Sequence, residues 1–224
     1  MSTTAAGLRD LPPRQARSIG TVTLERTVME LNGLCCMALE EVAPQRKGMA
    51  VTRSFGRAVT SLNELREAVA AHATRAGEKL RRQGLVAGRL AAFFHTSPHR
   101  DGPQHHGQRS ICLMPMTADT CELVGAALRC VEAAWCPGRG CRYAKAGVLL
   151  DDLCRAEDAP PTLFSAHQPM SDALMVALDR VNARFGRGAL FPAAIGIAQP
   201  WRLRAAHHSP RYTTRLGELP RVRA

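Results

Sequence analysis

The strongest hydrophobic pattern in the chain has helical spacing and runs over residues 61–83. Apolar side chains recur there every three or four positions, as on the buried stripe of an amphipathic helix. Ser61 and Glu64 form a capping box that starts this helix, and Gly84 ends it. Further apolar stripes predict helices over residues 22–32, 120–135 and 172–184.

Four extended stretches alternate with the two strongest helices. Their β-branched and apolar content favours strands over residues 49–57, 85–95, 110–116 and 143–153. The resulting order is the ferredoxin-like βαββαβ arrangement. It predicts an α+β protein in which both helices cover one face of an antiparallel sheet and leave the other face open. A helical segment precedes this domain, and a helix with a short strand over residues 189–195 forms a small α+β domain after it.

The first predicted strand has two different faces, because successive side chains of a strand point in opposite directions. Val51 and Phe55 share one face and suit a core, whereas Ser54 and Gly56 share the other. Arg53 falls on the apolar side, and it reaches a ligand on the open face only if an edge or a bulge turns it there. We therefore expect Thr52, Ser54 and the backbone of Gly56 to line the open face.

The composition indicates a folded and basic protein. Of the 224 residues, 46% are hydrophobic and 4% aromatic, so Ala, Leu and Val must form most of the core. The net charge of +11 attracts polyanions such as nucleic acid, an acidic protein or an anionic membrane surface. No apolar run is long enough to span a membrane, and the N-terminus lacks a signal-peptide pattern. We expect a cytoplasmic protein whose 8 cysteines stay reduced.

Common catalytic motifs are missing from the sequence. It has no P-loop, no dinucleotide-binding Gly-x-Gly-x-x-Gly and no Gly-x-Ser-x-Gly. Asp151 and Asp152 are adjacent, so on a strand their carboxylates point to opposite faces. Cys136 and Cys141 could form a zinc site with two of the histidines between residues 95 and 106, but their spacing is not that of a usual ligand pair. The residues alone favour a binding protein without a metal over an enzyme.

Several runs of residues resemble the UmuC family, and they occur in the same order. They are residues 24–28, 30–33, 53–56, 76–81, 96–98 and 142–147 and, most specifically, Ser-Pro-Arg-Tyr-Thr-Thr-Arg at 209–215. UmuC proteins are the catalytic subunits of bacterial DNA polymerase V, a Y-family translesion polymerase. From Leu8 to its end, the chain resembles the C-terminal part of these proteins.

The resemblance implies four parts: the end of the thumb with its tether at 1–46, a little-finger domain at 47–154, a linker at 155–170 and a UmuC-type C-terminal domain at 171–224. In Y-family polymerases the sheet of the little finger lies along duplex DNA and mostly contacts phosphates. The residues expected to bind DNA here are Arg53, Ser54, Gly56, Lys79, Arg81, Arg82, Thr96, Ser97, Tyr143 and Lys145. The linker carries a degraded sliding-clamp motif, of which only Leu163 and Phe164 fit.

The resemblance also implies a function. We expect binding of primer-template and damaged DNA without sequence preference, in the translesion synthesis and mutagenesis of the SOS response and in DNA repair. The family's palm domain, which holds Mg²⁺, has no counterpart in the matching runs, so we expect this chain to bind no cofactor and to be inactive as a polymerase alone. Expected protein partners are the UmuD′ dimer, the RecA filament and the sliding clamp. The alternative is a protein-interaction module that binds these partners without binding DNA.

Overall fold

The computed structural model describes residues 4–37, 46–138, 140–160, 169–203 and 209–219. The chain divides into two compact units, Met1–Gln45 and Arg46–Ala224. Across the described ranges, no helix combines the length and the apolar character that crossing a membrane would require.

The first unit is helical. Its helices are α1 (Ala5–Arg9) and α2 (Pro13–Leu31). Helix α2 begins nine residues before the predicted start at residue 22, and a proline occupies its first turn, where a missing N–H is tolerated. The backbone of α2 is non-helical at Gly20 and Thr21. The predicted helix therefore corresponds to the part of α2 that follows this kink.

The second unit is built on a four-stranded antiparallel sheet with the strand order β1-β4-β2-β3. Its elements in chain order are β1 (Gly48–Val59), α3 (Leu62–Arg82), β2 (Leu85–Thr96), β3 (His106–Thr117), α4 (Thr120–Ala134) and β4 (Tyr143–Arg155). This order confirms the α+β class and the βαββαβ arrangement. Strand β3 starts four residues earlier than predicted, because an edge strand with one open face needs no apolar run there.

Helices α3 and α4 cover one face of the sheet. Leu65 and Leu80 of α3 and Leu123 of α4 are fully buried, and each such burial stabilises the fold by about 1.5–3 kcal/mol. The hydroxyl of Ser61 accepts a hydrogen bond of 3.2 Å from the N–H of Glu64, which confirms the predicted start of α3. The packed helices leave the opposite face of the sheet as the open face.

The C-terminal region begins with α5 (Pro169–Phe185), which agrees with the helix predicted over residues 172–184. The strand predicted over residues 189–195 is wrong, because a short 3-10 helix, Ala193–Ile195, lies there instead. Pro192 has no N–H to give to a sheet, and Gly196 turns the chain with a φ of +70°.

Trp201 packs the C-terminal region against the helix side of the sheet. Its indole is buried and meets Phe55 of β1 edge-on, with ring centroids 6.3 Å apart. The imidazole of His72, on α3, meets the same indole edge-on at 6.2 Å. The carbonyl oxygen of Trp201 accepts a hydrogen bond of 3.0 Å from the N–H of Gly56. The C-terminal chain therefore lies against β1, an edge strand of the sheet.

Candidate nucleic-acid interface

Residues from all four strands form rows across the open face, because the strand register aligns them. The first row consists of Ser54, Lys145, His95 and His106, from β1, β4, β2 and β3 in turn. The second row consists of Thr52, Gly147, Phe93 and Gln108. Residues that alternate with these rows, such as Val51, Val148 and Phe94, belong to the core beneath the helices. Alternation along a strand then places both rows on the opposite, open face.

The first row is polar and basic. Ser54 and His106 are exposed, whereas Lys145 and His95 are half-buried. The Nδ1 atom of His95 lies 2.8 Å from the carbonyl oxygen of Thr96, and this contact orients the ring. The row offers the hydroxyl of Ser54, the ammonium of Lys145 and the imidazole of His106 as hydrogen-bond donors to phosphate oxygens, whereas the Nδ1–H of His95 already donates to the carbonyl oxygen of Thr96.

The second row has an aromatic ring at its centre. A β carbon placed on Gly147 would lie 2.8 Å from Cε1 of Phe93, 2.9 Å from its Cζ and 2.5 Å from Cγ2 of Thr52. A glycine at this position therefore lets both the Phe93 ring and the Thr52 methyl group come close to the backbone of β4. Gln108 is exposed at the β3 end of the row, so the row places a hydroxyl on one side of the ring and an amide on the other.

A second basic surface lies where the end of α3 meets the start of β1. We call it the basic recess, and four cations line it: Arg46, Arg75, Lys79 and Arg82. The carboxylate of Glu78 pairs with Arg75, and it lies 3.9 Å from Nη1 of Arg82. The recess keeps an excess of positive charge, because this single carboxylate is shared by two of the four cations.

Comparison with known proteins identifies the family. Residues 46–163, more than half of the chain, match the impB/mucB/samB family C-terminal domain. The chain belongs to this family. Residues 172–222 match a second domain, DUF4113, whose function is unknown.

Individual relatives support the same assignment. Protein UmuC of Salmonella typhimurium strain LT2 is 39% identical over 205 residues, which are 90% of this chain and 48% of the relative. Protein SamB of Salmonella typhimurium is 39% identical over 221 residues, 97% of this chain and 51% of the relative. Protein MucB of Escherichia coli is 37% identical over 211 residues, which are 92% of this chain and 49% of the relative. The predicted resemblance to UmuC is confirmed, and the chain spans about half the length of these relatives.

Four of the residues predicted to bind DNA lie on the two basic surfaces of this impB/mucB/samB-family chain. Ser54 and Lys145 are neighbours in the first row of the open face. Lys79 and Arg82 line the basic recess. The structure thus divides these four between two separate surfaces, which sequence order alone does not reveal.

The two remaining candidates of β1 are placed differently. The register of β1 with β4 is regular up to Ser54 and shifts only after it, so no bulge turns Arg53 to the open face. Arg53 is exposed on the helix side, where its positive charge contributes to lowering the pKa of His72. The backbone of Gly56 was expected to face DNA, but its N–H donates to the carbonyl oxygen of Trp201, which argues against that contact.

Arg81 was also predicted to contact phosphate, but its guanidinium binds other parts of the protein. Its Nε and Nη2 atoms each donate a hydrogen bond of 2.8 Å to the carboxylate of Asp179 on α5. Its Nη1 donates to the carbonyl oxygen of Ala118 at 2.7 Å and to the hydroxyl of Thr120 at 2.9 Å. All three nitrogens of this guanidinium have protein acceptors, which argues against the predicted phosphate contact.

Tyr143 and Thr96, which were also predicted to contact phosphate, both have partners within the protein. Tyr143 is fully buried, with its ring 4.9 Å from that of Phe94 and its hydroxyl 3.0 Å from Nδ1 of His105. The buried hydroxyl of Thr96 bonds to Gln104 across the loop between β2 and β3, and it accepts a hydrogen bond from the N–H of His105. The burial of both residues and the partners of their hydroxyls argue against the predicted phosphate contacts.

Ser97 remains a candidate for phosphate binding. It is half-buried and lines a small cavity of the loop between β2 and β3 together with Arg100 and Arg142. Two guanidinium groups near a hydroxyl suit an anion, although the carboxylate of Asp101 in the same lining offsets part of their charge. The cavity lies beyond the end of the first row, because Thr96 directly follows His95 on β2.

The sequence prediction missed four residues of the open face: Phe93, His95, His106 and Gln108. Alternation along β2 could have placed Phe93 and His95 together. Their alignment with Lys145 depends on the strand register, which irregularities in β1, β3 and β4 shift.

Two other predictions concern ligands. The clamp residues Leu163 and Phe164 lie outside the described residues. Within the described ranges, no group of three or more His, Cys, Asp or Glu side chains is arranged to hold a metal ion. The resemblance assigns Mg²⁺ to a palm domain, and the described residues offer no carboxylate cluster that would hold it.

Proposed function

We propose that this chain is the DNA-holding C-terminal part of an error-prone, UmuC-type translesion polymerase of the Y family. Membership of the impB/mucB/samB family supports the proposal, as does the similarity to UmuC over nine-tenths of the chain. The observation that carries it is the open face, on which Ser54, Lys145, His95 and His106 form one continuous row. The activity within the cell is then SOS mutagenesis and DNA repair in the cytoplasm.

The chemistry of the open face favours binding to the DNA backbone. A lysine and a hydroxyl contact phosphates without reading bases, so they fix the position of the DNA and carry no sequence preference. Much of the affinity then comes from the release of counterions, because the chain carries a net charge of +11. The basic recess adds Lys79 and Arg82 as contacts to a flanking part of the backbone.

The test is a titration of fluorescent primer-template DNA with the full chain over a series of salt concentrations. We expect the logarithm of the binding constant to fall linearly with the logarithm of salt, with a slope of about −0.9 per phosphate neutralised. Two primer-templates of unrelated sequence serve as matched probes, and their affinities should agree. No binding at low salt, or an affinity that does not change with salt, would contradict the proposal.

A protein-interaction module remains the second candidate, and the surface of α5 supports it. Leu174, Val176 and Phe185 are 54%, 49% and 69% exposed, which leaves apolar surface in the C-terminal region. The partners to test are the sliding clamp, the UmuD′ dimer and the RecA filament. This reading predicts that the immobilised full chain captures one of them and that Phe185→Ala weakens the capture. It fails if none of the three is retained.

A further inference from the structure

Phe93 occupies an unusual place for an aromatic residue of this protein. Phe55, Phe94 and Tyr143 also lie on strands, and all three belong to the core beneath the helices. Phe93, by contrast, lies in the second row of the open face and is half-buried. Among the Phe, Tyr and Trp residues of the four described strands, it is the one whose ring is left to the open face. Packing of the core therefore does not account for it.

The ring of Phe93 has an aromatic neighbour on the same strand. Its plane is within 7° of that of His95, and the two centroids are 6.4 Å apart. The ring of His106 on β3 follows at 6.2 Å from that of His95. The absence of a side chain at Gly147 leaves room for Phe93 to lie over β4. Three neighbouring rings thus form one aromatic surface, which we call the aromatic platform.

The groups around the aromatic platform suit a nucleotide. Lys145 lies beside His95 in the first row and can neutralise a phosphate. Thr52 and Gln108 stand at the two sides of Phe93 in the second row and offer a hydroxyl and an amide to the edge of a base. A cation that follows the backbone, next to a ring on which a base can stack, is the arrangement by which proteins hold single-stranded nucleic acid.

We propose that Phe93, with His95, stacks an unpaired base of the bound DNA. The inference rests on the proposed function and makes it more specific, because it names the part of the DNA that the open face holds. In an uninterrupted duplex every base is already stacked and paired, so its rings are not offered to Phe93. The chain therefore prefers DNA that contains unpaired bases to a blunt duplex of the same charge.

The experiment measures the affinity of the full chain for three probes: a thymidine oligonucleotide, an abasic strand of equal length and a blunt duplex. Phe93→Ala should weaken binding of the thymidine strand by about five- to 150-fold, the range expected for the loss of one base-aromatic stack. Affinity for the abasic strand and the duplex should change less than about twofold, because no phosphate contact is lost. For the same reason the slope of affinity against salt should stay the same.

Two further variants separate stacking from folding. Phe93→Trp keeps a ring, so binding of the thymidine strand should remain close to that of the unaltered chain. Phe93→Leu keeps apolar cover over Gly147 without a ring, and it should lose affinity as Phe93→Ala does. Urea unfolding of each variant shows whether the fold is intact.

The outcomes also separate this inference from the proposed function. If Phe93→Ala weakens binding of the thymidine and abasic strands equally, or of neither, the aromatic platform does not stack a base. Salt-dependent binding of all three probes would at the same time leave the proposed function standing. If the unaltered chain binds no probe at low salt, both fail.

Discussion

Arg81 and Asp179 form a bidentate ion pair that joins α3 to α5. Nε and Nη2 of Arg81 each donate a hydrogen bond of 2.8 Å, and each reaches a different oxygen of the Asp179 carboxylate. The third nitrogen holds the start of α4 through Ala118 and Thr120. A single side chain thus connects the C-terminal helix to both helices that cover the sheet.

Arg81→Ala is expected to destabilise the fold and to leave DNA binding intact. Its side chain is only 15% exposed, and its removal leaves the carboxylate of Asp179 without its partner. The free energy of unfolding in urea should fall by about 2–4 kcal/mol. Arg82→Ala is the matched control, because that side chain is 66% exposed, and it should change stability by less than about 0.5 kcal/mol. A change in the salt slope of DNA binding by Arg81→Ala would show that Arg81 contacts phosphate after all.

Lys145→Ala is expected to weaken DNA binding while the fold remains stable. The change removes the cation of the first row. The slope of the logarithm of the binding constant against the logarithm of salt should therefore become shallower by about 0.9, the contribution of one neutralised phosphate. Arg66→Ala removes the same charge from α3, where its guanidinium lies 3.4 Å from Glu132, away from the open face. Titration of primer-template DNA should show a smaller effect for this control. Equal effects of both changes would mean that only total charge matters.

His72 is expected to make the stability of the fold depend on pH. Burial, aided by the charge of Arg53, lowers its pKa from 6.5 to about 4. Between these two values the unfolded chain binds a proton that the folded chain does not, so stability is fully present above about pH 6.5 and falls as the pH decreases towards 4. The free energy of unfolding should fall by roughly 3 kcal/mol in total, and this contribution should not change further below about pH 4.

Urea unfolding at several pH values, compared between the unaltered chain and His72→Leu, isolates this contribution from that of the carboxylates. The difference in stability between the two proteins should change across the interval from pH 6.5 to 4. A constant difference across that interval would show that His72 is not held neutral.

Gly56→Ala is expected to loosen the C-terminal chain. A β carbon at this position would lie 2.5 Å from the carbonyl oxygen of Arg202 and 3.0 Å from Cα of Leu203, and both are backbone atoms. We expect a loss of about 1–3 kcal/mol in the free energy of unfolding and a change in tryptophan fluorescence as Trp201 loosens. Gly125→Ala on α4 is the control, because its β carbon would meet only a side-chain nitrogen at 3.7 Å, and alanine favours a helix. Equal stability of the two variants would contradict the packing described for Gly56.

The main elements of the fold could be predicted from the sequence because their signals are local. The apolar stripe of α3 and its cap at Ser61 lie within one stretch of chain, and so does the alternation in β1. The roles of single polar residues could not be predicted in the same way. Arg81 has the sequence environment of an exposed helix end, and its partner Asp179 lies 98 positions further on.

The composition of the open face needed information that the sequence does not carry locally. Phe93 and Lys145 become neighbours only through the register between β2 and β4. Tyr143 lies two residues before Lys145 and has the same local context, yet a register shift near the start of β4 places it in the core. Bulges of this kind redirect side chains without a clear signature in the residues themselves.

The contact between Trp201 and Gly56 has a consequence for solubility. An edge strand exposes backbone groups that can pair with another chain, and proteins protect such edges with proline, with charges or with a covering segment. The edge strand β3 carries Pro115 and Arg109, whereas β1, at the other edge, has the C-terminal chain laid against it at Gly56. A chain shortened to end before Trp201 should therefore associate through β1, and its aggregation should rise with concentration.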